Sequence, residues 1–83
     1  MDQAGILAAL TDILREVFED PTLTPTMATT AEDVPEWDSM NHINIVVEAE
    51  RKFGVKFRTS EIEELRNVGD FVNLIGAKLE ARG

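Results

Sequence analysis

Residues 36–54 read Glu36-Trp37-Asp38-Ser39-Met40-Asn41-His42-Ile43-Asn44-Ile45-Val46-Val47-Glu48-Ala49-Glu50-Arg51-Lys52-Phe53-Gly54. Ile45, Val46, Ala49 and Phe53 fall on one face at helical spacing, while Glu48, Arg51 and Lys52 lie mostly away from it. Asp38 is a favoured N-cap, because its carboxylate can accept from the free backbone donors of the first turn. Gly54 stands where a left-handed residue closes a helix. The stretch predicts a helix opening at Asp38-Ser39 and running to about Phe53, with Ser39 in its first turn.

The flanks supply the partners of that helix. Upstream, Ile6, Leu10, Ile13, Leu14, Val17 and Phe18 repeat near 3.6 and predict a helix over residues 3–18, closed by Pro21. Residues 20–37 hold Pro21, Pro25 and Pro35 and no periodicity, a long connection that Leu23, Met27, Val34 and Trp37 would pin to the core. Downstream, Val55 and Phe57 are read as two buried anchors of a loop, since no partner strand is visible. Thr59-Ser60 opens a short helix, with Ser60 and Glu63 at capping-box spacing and Thr59 an equally good cap. Asn67 caps a last helix to about residue 80, with Val68, Phe71, Val72, Ile75 and Leu79 on one face. Gly69 and Gly76 each weaken it by roughly 1 kcal/mol relative to alanine. Three substantial helices and one short one make an all-α four-helix bundle, a single domain over residues 1–83. Its expected core includes Leu10, Leu14, Ile45, Phe53, Phe57, Phe71 and Ile75, and a monomer is expected.

The chain has 83 residues, with 8 Lys+Arg against 16 Asp+Glu, a net charge of −8. One small core fits that length, and a deep catalytic cavity does not. With 43% hydrophobic and 29% charged residues the balance is globular. The acidic excess argues against nucleic acid or an anionic membrane as partner and favours basic protein surfaces. The longest apolar run, residues 6–10, is far short of the roughly 20 residues of a membrane span. The Met1-Asp2-Gln3 start lacks the basic opening of a secretory signal, so a cytoplasmic location without membrane insertion is expected.

Several chemistries can be struck off. The chain has no cysteine, which removes disulfides, thiolate metal sites and a cysteine nucleophile together. One histidine cannot make an ordinary zinc site, the glycines form no phosphate-cradling loop, and no metal site is expected. Asp38, Ser39 and His42 contain the side-chain types of a hydrolytic triad, but residues within one helical turn are poorly placed for that relay. Ser39 itself has a bland reading, since serine and aspartate favour helix starts for capping alone.

The frame around Ser39 resembles the acyl carrier proteins. Glu36-Trp37-Asp38-Ser39-Met40, followed by a helix ending Glu50-Arg51-Lys52-Phe53-Gly54-Val55, is similar to their Asp-Ser-Leu/Met motif. The likeness extends through the order of elements over nearly the whole chain. It implies an acyl-carrier-type bundle in which Ser39 receives 4′-phosphopantetheine from coenzyme A and holds an acyl or aminoacyl group as a thioester. It implies a carrier and not an enzyme, serving fatty acid, lipid or specialised-metabolite synthesis. Its partners would be a phosphopantetheinyl transferase, an acyl- or aminoacyl-loading ligase, and synthase or transferase enzymes. By the same resemblance Asp38 helps the transferase place its metal. The physics of the site agrees, because a helix N-terminus favours an anion.

Two departures bear on partners. Asn41 and Asn44 stand where carriers of fatty acid synthesis commonly have carboxylates, and the charge gathers instead at Glu61, Glu63 and Glu64. The Gly-Gly-x-Ser of many peptidyl carriers is absent, although an aminoacyl or peptidyl carrier with a dedicated ligase stays open. Met40, Ile43 and Val47 are expected near the arm and at partner contacts, with core packing the alternative reading. The three glutamates are either a partner surface or a solvated first turn stabilised by the helix dipole. An unmodified acidic helical adaptor, with Ser39 only a cap, is the reading from a different class.

Overall fold

A computed structural model describes residues 2–82. Its helices are α1 (Gln3–Val17), α2 (Ser39–Phe53), α3 (Thr59–Glu63) and α4 (Val68–Arg82). Among the described residues there is no strand, only an isolated antiparallel bridge between Thr30 and Asn67. Among the described residues no helix is long and apolar enough to cross a membrane.

α1 packs against both α2 and α4. Ile6, Leu10, Ile13 and Leu14 are its buried stripe, set against Ile45, Val46, Ala49 and Phe53 of α2 and the fully buried Val68, Phe71, Val72 and Ile75 of α4. Of the expected core only Phe57 is half-buried, packed against the edge of the cluster. Val55 is buried beside it, and the Glu50 carboxylate accepts the Phe57 N–H at 2.8 Å. That bond holds the segment after Gly54 as a loop with two apolar anchors.

α1 ends differently from expectation. Pro21 lies past the end, and the closure comes from Glu19, a non-glycine residue with φ 53°. The Glu19 N–H donates to Glu16 O at 3.2 Å and the Asp20 N–H to Arg15 O at 3.0 Å, the paired bonds of a Schellman motif. Arg15 then donates from Nε to the Leu23 carbonyl at 2.7 Å, drawing the start of the loop back onto the helix.

The cap of α3 is also one residue earlier than the sequence suggests. Arg58, not Thr59 or Ser60, is the N-cap, and the Glu61 carboxylate reaches back to its N–H at 2.7 Å. Arginine has no acceptor to return the bond, so only half of a capping box forms. α4 begins as expected, with Asn67 Oδ1 accepting from the Asp70 N–H at 2.8 Å, and it runs on to Arg82.

The long connection between α1 and α2 is held by more than its apolar side chains. Val34 and Trp37 are buried, and Leu23 and Met27 are half-buried against the core. In addition, the Val68 N–H donates to Thr29 O at 2.9 Å and the Gly69 N–H to Met27 O at 2.8 Å. The loop carbonyls thus satisfy donors that the first turn of any helix leaves open.

Candidate functional site

Ser39 is the first residue of α2, and it is exposed. The preceding Asp38 has extended backbone angles, φ −103° and ψ −177°, and its Oδ1 accepts the Asn41 N–H at 2.8 Å. This is the expected cap. Asn41 also donates from Nδ2 to the Glu36 carbonyl at 2.8 Å and accepts from Asn44 Nδ2 at 3.2 Å. A carboxylate at residue 41 could not donate to that carbonyl, so the neutral side chain ties the loop end to the helix start. The sequence shows the absence of charge at Asn41 but not this tie.

Among the described residues, the Ser39 and Met40 N–H groups meet no acceptor. They and the dipole of a 15-residue helix leave a positive end beside an exposed hydroxyl. A phosphodiester on Ser39 fits that place, and its oxygens would find donors that nothing else uses.

His42 is half-buried and its ring is fully engaged. The Trp37 indole donates from Nε1 to Nδ1 at 3.2 Å, and Nε2 lies 3.3 Å from the Ile62 carbonyl. The two rings stack with centroids 6.3 Å apart. With the Asp38 carboxylate turned to Asn41, no Asp-to-His-to-Ser relay is formed, and the hydrolase reading falls. Trp37 and His42 occupy the N′ and N4 positions of α2, the pair that forms a hydrophobic staple. That spacing is the sequence signal that could have found the contact.

Met40, Ile43 and Val47 are 75%, 50% and 44% exposed, so they are not core residues. Spaced three and four apart, they form one apolar stripe descending α2 from Ser39. An open groove of about 590 Å³ beside Ser39 shares Ile43 with that stripe and is lined also by Trp37, His42, Ile62, Glu63 and Leu65.

The three glutamates are not equivalent. Glu61 is half-buried, bonded to the Arg58 N–H and 2.9 Å from Lys78 Nζ. Those contacts hold its carboxyl below the ordinary range, the Arg58 hydrogen bond first and Lys78 second. Glu63 and Glu64 are exposed. Glu63 is the last residue of α3 and Glu64 its C-cap, so neither gains from a helix N-terminus and the first-turn account fails for both.

The site is thus an exposed serine opening the second helix of a small helical bundle. No protein-family model matches the chain. An acyl carrier protein of Acidothermus cellulolyticus is 37% identical over 75 residues, spanning 90% of this chain and 89% of its own. The meromycolate extension acyl carrier protein of Mycolicibacterium smegmatis is 38% identical over 80 residues, 94% of this chain and 78% of its own. Among solved structures, the holo acyl carrier protein of Geobacter metallireducens shares the fold with TM-score 0.87 and 40% identity, over 93% of this chain and 88% of its own. An acyl carrier protein of Thermotoga maritima, at TM-score 0.88 and 24% identity over 100% and 96%, shares the fold. The chain belongs to the acyl carrier protein family. It is a carrier and not a catalyst.

Proposed function

We propose that Ser39 is the attachment point for 4′-phosphopantetheine and that the chain presents an acyl or aminoacyl group, held as a thioester, to cytoplasmic biosynthetic enzymes. The observation that carries this is the exposed hydroxyl of Ser39 at the first position of α2, beside backbone donors with no protein acceptor. When bound, the group supplies the thiol that a chain without cysteine lacks. Asp38 caps the helix and keeps its carboxylate turned away along the Asn41 N–H. Met40, Ile43 and Val47 offer an exposed apolar stripe next to the arm. A phosphopantetheinyl transferase, a loading ligase and synthase or transferase enzymes are the partners this reading requires.

The test is intact mass after incubation with coenzyme A, magnesium and a broad-specificity phosphopantetheinyl transferase. One prosthetic group should add to the native chain and none to Ser39→Ala. A native chain that stays unmodified leaves the adaptor reading, and a Ser39→Ala chain that is still modified moves the site elsewhere.

A further inference from the structure

Three elements converge on one side chain of α2. The loop brings the Trp37 indole, whose N–H donates to His42 Nδ1 at 3.2 Å. α3 brings the Ile62 carbonyl, 3.3 Å from His42 Nε2. From α4, Phe71 meets the imidazole edge-on with centroids 5.5 Å apart. An indole nitrogen can only donate and a carbonyl can only accept, so the two neighbours select a single neutral form of the ring. Nδ1 is the acceptor, and the proton sits on Nε2 and is given to Ile62. α3 has five residues and none of them is fully buried, so this bond adds to the weak hold of the half-buried Ile62 side chain and the Glu61–Lys78 pair.

We propose that His42 is a positioning residue that fixes α3 against the start of α2, and so sets the wall of Ile62, Glu63 and Leu65 that faces Ser39 across the groove. Trp37 chooses which nitrogen keeps the proton, and that proton holds α3. A five-residue helix held by this bond, the Glu61–Lys78 pair and the half-buried Ile62 side chain loosens when one hold is lost, while the three long helices rest on contacts that are apolar and buried. The tie itself is independent of any group on Ser39. Only its consequence, the shape of the surface offered beside a loaded arm, rests on the function proposed above.

The experiment uses the unmodified protein. Long-range proton–nitrogen spectra of the ring at mildly alkaline pH should show the Nε2–H form. His42→Phe keeps an aromatic ring but has no donor, whereas His42→Gln keeps a donor of similar reach. In the phenylalanine variant the α3-region amides of Ile62, Glu64 and Leu65 should exchange about tenfold faster, the factor one lost hydrogen bond brings, with the amides of α1 and α4 unchanged. His42→Gln should restore most of that protection. Trp37→Phe removes the donor that keeps the proton off Nδ1, so the Nδ1–H form should gain population even though the Ile62 carbonyl still favours Nε2–H, with faster α3 exchange. An Nδ1–H ring in the native protein, or α3 exchange that is the same in native and phenylalanine chains, overturns the proposal. Should His42→Phe fail to fold, the glutamine and Trp37→Phe chains read the same amides, and native exchange in Trp37→Phe with a native-like ring is equally fatal. None of these readings involves Ser39 modification, so a failed mass gain and a failed tie are separate results.

Discussion

The Gly69 N–H donates to the Met27 carbonyl at 2.8 Å, and a Cβ built on Gly69 would lie 2.8 Å from that same oxygen. The loop therefore approaches α4 more closely than any side chain at residue 69 permits. At Gly76 the nearest atom to such a Cβ is Ile6 Cδ1 at 3.5 Å, an ordinary contact. The two glycines look alike in the sequence and should part in a denaturation experiment. Gly76→Ala should stabilise by about 0.5–1 kcal/mol through helix propensity and a less flexible unfolded chain. Gly69→Ala gains the same propensity but must push a backbone carbonyl away, which costs roughly 1–3 kcal/mol. It should be net destabilising, and a stabilised Gly69→Ala chain would show that the loop is not seated on α4 as described.

Asp38 and Ser39, adjacent at the start of α2, should part in their effects on stability and on modification. Asp38→Ala leaves the Asn41 N–H without its acceptor and should cost about 0.5–2 kcal/mol by urea unfolding. Asp38→Asn should restore most of the stability, since asparagine caps as well as aspartate does. Ser39→Ala should change stability by only a few tenths of a kcal/mol, because the Asp38 cap persists, yet it should abolish modification.

Much of α2 is legible because both ends carry local chemistry. Asp38 caps with its own side chain, and Gly54, at φ 67°, supplies the left-handed closure. The apolar periods of α1 and α4 are equally readable. What escapes is what depends on backbone groups far apart in the chain. Nothing in Met27 or Thr29 shows that their carbonyls will seat the first turn of α4. Glu19 adopts a conformation that glycine usually marks, and the Arg58 cap is set by Glu61 reaching back, not by the nearby Thr59 or Ser60. At the site, the place of Ser39 at the start of α2 is readable from the capping Asp38. The engagement of His42 is visible only as an N′ and N4 spacing.

Acid should weaken the α3–α4 junction through Glu61. Its folded carboxyl titrates below the ordinary 4.5 of a glutamate, because the Arg58 N–H and then Lys78 favour the charged form. A depressed folded value stabilises the fold above the unfolded pKa, and that contribution is lost as pH falls through the folded one. Glu61→Gln removes the charge but keeps an acceptor for Arg58. Thermal midpoints of native and Glu61→Gln chains should therefore differ at neutral pH and converge as pH drops below 4.5. A gap that persists in acid would assign the effect to packing against Lys78 and Phe57, whose ring centroid is 5.8 Å from Lys78 Nζ.

Partners should read the charge of this protein at the C-terminal end of α3. The upper part of α2 presents Met40, Asn41, Ile43 and Asn44, none of them charged, while Asp38 and Glu63 line the groove with Ser39, and Glu64 follows Glu63 in the chain. Rim charges act mainly on association rate and on the choice of partner, while an apolar centre supplies the dry contact. Glu63 and Glu64 are exposed at the C-terminal end of α3, where the helix dipole opposes negative charge, so their placement has no local structural benefit. Glu63→Lys with Glu64→Lys should slow loading by the cognate ligase at low salt. The slowing should fade as ionic strength rises and the Debye length shrinks. Stability should be unchanged or slightly raised, because a lysine suits that end of a helix. Glu61→Lys is the informative contrast: it loses the contacts to Arg58 and Lys78 and should lower the thermal midpoint whatever partners do. Loading kinetics in the Glu63 and Glu64 double variant that match the native chain at low salt would remove these two residues from the partner surface and leave recognition to the Met40, Ile43 and Val47 stripe.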